Sequence, residues 1–237
     1  MLCLFPFAGE ICKGNASAKK RHVLGLMSNI QGALDAKGWI MSNYEDQYYL
    51  VDEVYDDDTL YLKPKKKTAN RDYEYTKMIY GDEPLFFENS YKDRDVNEGK
   101  ERPIKTAHMD GNFLIVDDAI YREMKSFTID NFQLYPAVVV DDKEAYHENF
   151  WFFNIYANSD YLDIDQCQID DYDEDDKKHS IERYSLNEKL LDGILEERRL
   201  IFRPMRSDIG HTIVHQRIVD IFEELGVNNI KFYKLSE

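Results

Sequence analysis

Residues 114–135 read LIVDDAIYREMKSFTIDNFQLY, and residues 212–233 read TIVHQRIVDIFEELGVNNIKFY. A shift of 98 positions lays the first over the second without a gap. Five positions are then identical: Ile115/Ile213, Val116/Val214, Ile120/Ile218, Asn131/Asn229 and Tyr135/Tyr233. Apolar character also matches at Met124/Phe222, Phe127/Leu225, Ile129/Val227, Phe132/Ile230 and Leu134/Phe232. Each segment reads as a short strand, a helix, a turn and a second strand. The pattern predicts an α+β fold, a mixed or antiparallel sheet with several helices, containing a duplicated β-α-β unit. A chance register between two stretches of common pattern is the competing explanation, and superposition decides between them.

The first copy sets the local reading. Phe113 to Val116 is a buried strand, and Asp117 can cap a helix that carries Ile120, Tyr121 and Met124 on one face. FQLYPAVVV, 132–140, returns to strand, with Pro136 pointing to an edge or a bulge. FWFFNIY, 150–156, is the strongest β signal in the chain. Downstream, 168–179 is acidic and loop-like, 187–198 (NEKLLDGILEER) reads as a helix and 200–203 as a strand. A helix over 214–225 and a strand over 229–235 close the chain.

Upstream, Tyr48 to Val51 and Leu60 to Leu62 read as strands. Pro64 and Lys65–Lys67 mark a loop, Leu85 to Phe87 is a short apolar run, and 88–103 is a polar, exposed loop. Residues 1–40 differ in character. They hold the basic cluster Lys19, Lys20 and Arg21, then Val23, Met27, Ile30 and Leu34 at helical spacing, weakened by Gly25 and Gly32. The expected division is an appended segment, 1–40, followed by one domain, 41–237, beginning near Met41 and divisible into lobes 41–109 and 110–237.

The 237 residues suit one large domain, and 43% are apolar, enough for a core. Tyr and Phe number 17 and 13, an aromatic content disordered chains lack. Lys plus Arg number 30 against 46 Asp plus Glu, for a net charge of −16. Such a field repels phosphate backbones, so nucleic acid is not an expected ligand. It draws in basic proteins and speeds their encounter, although acidity also serves solubility alone. Cys3, Cys12 and Cys167 form neither a disulfide framework nor a C-x-x-C pair. MLCLFPFAGE has no basic lead, and its apolar run breaks at Gly9 and Glu10, so neither export nor a membrane span is expected and the location reads as cytoplasmic.

Chemistry-bearing residues are few. Asp170, Asp171, Tyr172, Asp173, Glu174, Asp175 and Asp176 set six carboxylates around one tyrosine. The segment is either a solvated loop or a contact surface for a basic partner with Tyr172 as its anchor. It lacks the glycine and the spacing of an EF-hand loop. Asp56, Asp57 and Asp58 form a second acidic turn. Asp163 and Asp165 make a D-x-D pair of the kind sugar transferases use to hold a metal and a nucleotide, without a Gly-rich phosphate loop. Alternation would put both on one solvated strand face. His211 and His215, with Asp208 near, share a metal only if they lie on one helical turn; if Ile213 and Val214 are strand, the pair splits. No G-x-S-x-G elbow, Walker loop or Rossmann fingerprint is present. Cys167 reads as a small core residue.

The C-terminal half resembles immunity family eleven of the bacterial polymorphic-toxin systems. An aromatic strand runs into an Asn (Phe150 to Asn154), followed by Leu162-Asp163, the Ile201-Phe202-Arg203 element, an apolar-then-helix segment (Ile213 to Leu225) and a closing strand (Gly226 to Phe232). The likeness covers 110–237 well and 41–109 loosely. Asn229 stands where the family commonly has a second glycine, and Asn can take left-handed geometry. The resemblance implies neutralisation of a cognate toxin protein by direct binding; it supplies no catalytic residues, and neither catalysis nor a cofactor is expected. The acidic surface, with Asp56–Asp58 and 170–176 as candidate contacts, agrees with that expectation. The alternatives are a metal-dependent transferase or hydrolase using Asp163, Asp165 or the histidine pair, and a scaffold module with several partners.

Overall fold

The computed structural model describes residues 44–111, 113–170, 173 and 175–237. The helix expected ahead of residue 41, the domain start at Met41, and Cys3 and Cys12 lie outside the described residues, as do Asp171, Tyr172 and Glu174. The described residues form twelve strands and five α-helices. In chain order they are β1 (Tyr48–Glu53), β2 (Leu62–Pro64), α1 (Lys66–Ala69), β3 (Leu85–Asn89), α2 (Lys92–Glu98), β4 (Ala107–Asp110), β5 (Phe113–Asp117), α3 (Asp118–Met124), β6 (Phe132–Val140), β7 (Tyr146–Ile155), β8 (Gln168–Asp170), β9 (Ser180–Arg183), α4 (Glu188–Leu191), β10 (Ile201–Phe202), β11 (Ile213–His215), α5 (Gln216–Glu224) and β12 (Ile230–Lys234). The fold is α+β.

The strands form a six-stranded mixed sheet, β2-β3-β6-β7-β5-β4, a four-stranded antiparallel sheet, β10-β11-β1-β12, and the hairpin β8-β9. Among these strands of the described residues, only β3 and β6 pair in parallel. β1, the first strand of the described residues, is thus a central strand in a sheet otherwise built from residues after 200.

The repeat read from sequence is present as a four-stranded unit with matched register. Phe152 of β7 faces Ile115 of β5 on one side and Tyr135 of β6 on the other. Leu50 of β1 faces Ile213 of β11 and Tyr233 of β12, the repeat-mates of those two residues. The next strand out matches too, since His108 of β4 pairs with Ile115 and Phe202 of β10 with Ile213. Entry to each helix is built alike. The Asp117 and His215 N–H groups donate to Thr106 O and Leu200 O, each at 2.8 Å. Asp117 Oδ1 then accepts from Ala119 N at 2.8 Å, and His215 Nδ1 from Arg217 N at 3.2 Å, which satisfies donors a helix leaves open at its start. Trp151 Nε1–H donates to Asp118 Oδ1 and the Tyr49 hydroxyl to Gln216 Oε1, so each central strand ties down the first residue of its helix. In one unit the central strand β7 comes last; in the other, β1 comes first. The two copies are circular permutations of one another.

Alternation along the central strands produces the cores. Phe153 and Ile155 of β7 join Val51 of β1, Ile120 and Met124 of α3, and Ile218, Val219 and Phe222 of α5 in one cluster shared by both units. Phe150 and Phe152, on the opposite face of β7, pack with Phe87, Leu62, Tyr73 and Tyr135. Tyr48, Phe202 and Ile213 do the same behind the smaller sheet. Each of these large side chains contributes about 1.5–3 kcal/mol on burial.

Several local expectations change. Pro136 lies on an interior strand, not an edge; its side of β6 is free because the β3 ladder begins one residue later, at Ala137, and a bulge follows between Ala137 and Val139. Pro64 ends β2, and the lysine run opens the helical turn α1 instead of a loop. The polar stretch 88–103 contains α2, closed by Gly99 in left-handed geometry (φ 65°) and held through fully buried Asp95. The 187–198 helix is broken: α4 stops at Leu191, Gly193 closes a turn, and a 3-10 turn follows at Glu196–Arg198. Asn229 does not take left-handed geometry; Asn131 does (φ 58°), while Asn229 Nδ2 donates to Ala107 O at 2.6 Å.

Candidate functional site

Past the end of β1 the chain turns through Tyr55, Asp56, Asp57 and Asp58, all exposed. The turn is built, not loose. Asp56 Oδ1 accepts from Asp58 N at 2.9 Å and from Thr59 Oγ1 at 2.7 Å, and the Thr59 bond is the main reason the Asp56 carboxyl sits below its ordinary range. From beneath, Arg102 Nη1 donates to Asp57 O at 2.6 Å and to Thr59 O at 2.7 Å. The same guanidinium pairs with Asp95, its Nε to Oδ2 at 2.6 Å, and holds the Asp95 carboxyl down at about 2. Asn89 Nδ2 gives Asp95 a further bond at 2.9 Å. The polar stretch that reads as loop is therefore the brace of the acidic turn.

Tyrosines lie against it. Tyr55 stacks on Tyr61 with centroids 6.3 Å apart, and Tyr61 meets Tyr91 edge-on at 5.9 Å. Arg94 covers the Tyr91 ring at 4.4 Å. Tyr55 is 74% exposed, and Tyr91 is also exposed. Tyrosines are among the residues on which protein interfaces concentrate binding energy, and fixed carboxylates beside them attract positive charge. Beneath Tyr55 lies Glu53, 7% exposed, whose Oε2 has no hydrogen-bond partner. Burial raises the Glu53 carboxyl, hydrogen bonds from the Tyr55 hydroxyl and the Gly111 N–H oppose that rise, and nearby Asp110 adds to it. Asp110 at the end of β4 is itself raised by burial, against a bond from Ser90 Oγ at 3.2 Å. Hydrogen bonding to Glu53 pushes the Tyr55 phenol up to about 12.

The described residues of the second acidic segment run from Asp170, the last residue of β8, toward β9. Asp170, Asp173, Asp175 and Asp176 are exposed, and Asp173 Oδ1 accepts from Asp175 N at 2.9 Å. The 56–58 turn joins β1 of the four-stranded sheet to β2 of the six-stranded sheet, whereas these residues belong to the separate β8-β9 hairpin.

Asp163 and Asp165 lie in the turn before β8, not on a strand face; Asp163 O accepts from Gln166 N and Cys167 N. Among the described residues no group of three or more His, Cys, Asp or Glu is placed to hold a metal. The histidines are split by β11, with His215 capping α5 and His211 Nδ1 facing the Tyr184 hydroxyl at 3.1 Å. Cys167 is half-buried against the core behind the small sheet, its thiol raised by burial. No family model matches the chain, and no curated protein is significantly similar to it. No helix among the described residues is long and apolar enough to cross a membrane.

Sequence reading singled out Asp56–Asp58 but missed Glu53, Tyr55, Tyr61, Tyr91, Asp110 and Arg102. A signal for Glu53 was available. In YYLVDE, 48–53, alternation puts Tyr49, Val51 and Glu53 on one face, and Val51 is core. The rest depends on β1, β3 and β4 converging, which no local pattern encodes.

Proposed function

We propose that the chain is an immunity-type inhibitor that neutralises a toxin protein by binding a basic surface on it. The observation that carries this reading is the braced acidic turn at 56–58 with exposed tyrosines beside it. A turn held by Arg102 loses little conformational freedom on binding, and pre-organisation of this kind is what turns contact area into affinity. The net charge of −16 supports the same reading, because it steers a basic partner toward the molecule before contact. The exposed carboxylates of the second acidic segment, Asp170, Asp173, Asp175 and Asp176, contribute to that field. The resemblance of 110–237 to immunity family eleven points in the same direction.

The test is co-expression with the protein encoded by the adjacent gene. The expected results are rescue of growth from that protein's toxicity and a stable complex on co-purification. Toxicity unchanged by co-expression, or turnover of a small substrate by this chain alone, contradicts the proposal.

A further inference from the structure

Glu53 presents a physical problem. A buried carboxylate oxygen without a donor costs free energy, and native proteins retain such groups where something uses them. The duplication makes the anomaly specific. Glu53 pairs with Ile230, and Ile155 pairs with Phe132, the repeat-mate of Ile230. Glu53 therefore occupies the ladder position that Ile155 fills in the other unit, where the side chain is 2% exposed and part of the main core. An apolar residue fits this position, as the other copy demonstrates. A carboxylate stands here instead, with Asp110 close enough to raise it further.

The surroundings specify what would satisfy it. Two partly desolvated carboxylates create a demand for positive charge and for N–H donors. The mostly exposed Tyr55 hydrogen-bonds to Glu53 through its hydroxyl, and its ring stacks on Tyr61, which meets Tyr91 edge-on. Exposed Asp56, Asp57 and Asp58 follow Tyr55 in the chain and add negative charge to the same turn. A divalent ion lacks a third ligand among the described residues. A guanidinium needs no such ligand set, since it offers several donors in a plane and stacks on aromatic faces.

We infer that Glu53 and Asp110 form the floor of a socket that takes one arginine side chain of a basic protein partner, with Tyr55 as its movable wall. The incoming guanidinium displaces the Tyr55 hydroxyl from Glu53 and donates to Glu53 Oε2, while the tyrosine ring packs against its face. The socket rests on the toxin-binding reading for its biological occupant, but its chemistry can be tested alone.

The experiment is an NMR titration of the full chain with a blocked arginine, with blocked citrulline, blocked lysine and Ca²⁺ as separate arms. Saturable shifts of the Tyr55, Tyr61 and Tyr91 rings and of the Glu53 carboxyl carbon with arginine, absent with citrulline, are expected. Glu53→Gln, which keeps shape and removes charge, should weaken arginine binding about tenfold or more. Equal shifts with citrulline, saturable binding of Ca²⁺ without arginine, or unchanged binding by E53Q overturn the socket. If E53Q unfolds, Asp110→Asn and Tyr55→Ala must each weaken arginine binding, or the socket is wrong. Arginine binding without a complex with the adjacent-gene protein leaves the socket standing and removes the toxin reading. A complex whose affinity E53Q leaves unchanged does the reverse.

Discussion

Glu53 and Ile155 occupy the same ladder position in two copies of one four-stranded unit. The copies agree in register, helix capping and the anchoring of each helix by its central strand, so a difference at one position stands out against a common design. Replacing Glu53 with Ile should stabilise the protein by about 1–3 kcal/mol, the usual size of an unmet buried polar group. Urea denaturation at neutral pH measures this directly. A lower midpoint for E53I would mean that Glu53 holds the fold together instead of serving a binding site.

Arg102 carries the opposite expectation. It satisfies Asp95 and two backbone carbonyls of the acidic turn at once. Arg102→Met removes the main partner of buried Asp95, leaving it the Asn89 bond and Arg94 Nε at 3.5 Å, and should cost about 3 kcal/mol. Arg102→Lys keeps the charge but loses the fork, and should fall between that variant and the parent. Faster amide exchange at Asp58 and Thr59 should accompany both, because their brace is gone. Unchanged exchange there would detach Arg102 from the turn.

His108 sets an acid limit. It is buried on β4; its Nε2 accepts from Lys105 N at 2.9 Å, and its Nδ1 faces Leu60 O at 3.2 Å. Burial pushes the imidazole down from 6.5 to about 4. Between those values the unfolded chain takes up the proton and the folded chain does not. Stability from this residue is therefore complete above pH 6.5 and falls as pH drops toward about 4. The loss is about 3 kcal/mol over that interval. His108→Gln should flatten that slope in urea melts taken across the interval. An unaltered slope would assign the acid sensitivity elsewhere.

Trp151→Phe and Tyr49→Phe remove the same bond from the two units, to Asp118 and Gln216 respectively. Each should cost about 1 kcal/mol beyond any packing change. Each should also speed amide exchange in the first turn of its own helix, α3 or α5, and not in the other. Loosening of both helices by one substitution would argue against two units with equivalent anchors.

The duplication was legible because two segments kept their apolar spacing and five identities over 22 positions. Asp117 as a helix cap and β7 as the strongest strand were legible for the same local reasons. The fourth strand of the second unit was not. β1 lies more than 150 residues ahead of β11 in the chain, and only the folded ladder shows that Leu50 belongs between Ile213 and Tyr233. Residues 88–103 misled in a different way. Asp95 and Arg102 have the composition of a solvated loop, and nothing local reveals that the two are buried together. The acidic turn was visible as Asp56–Asp58, but its tyrosines and Glu53 come from strand ends brought together by the sheets.

We propose that a basic protein docks on the negative surface around the 56–58 turn. Stopped-flow association with the adjacent-gene protein, at low and at physiological ionic strength, tests it most directly. The expected association rate falls steeply as salt rises. Asp56→Asn, Asp57→Asn and Asp58→Asn together should slow association further and reduce its salt dependence. An association rate indifferent both to salt and to these three substitutions would contradict the account.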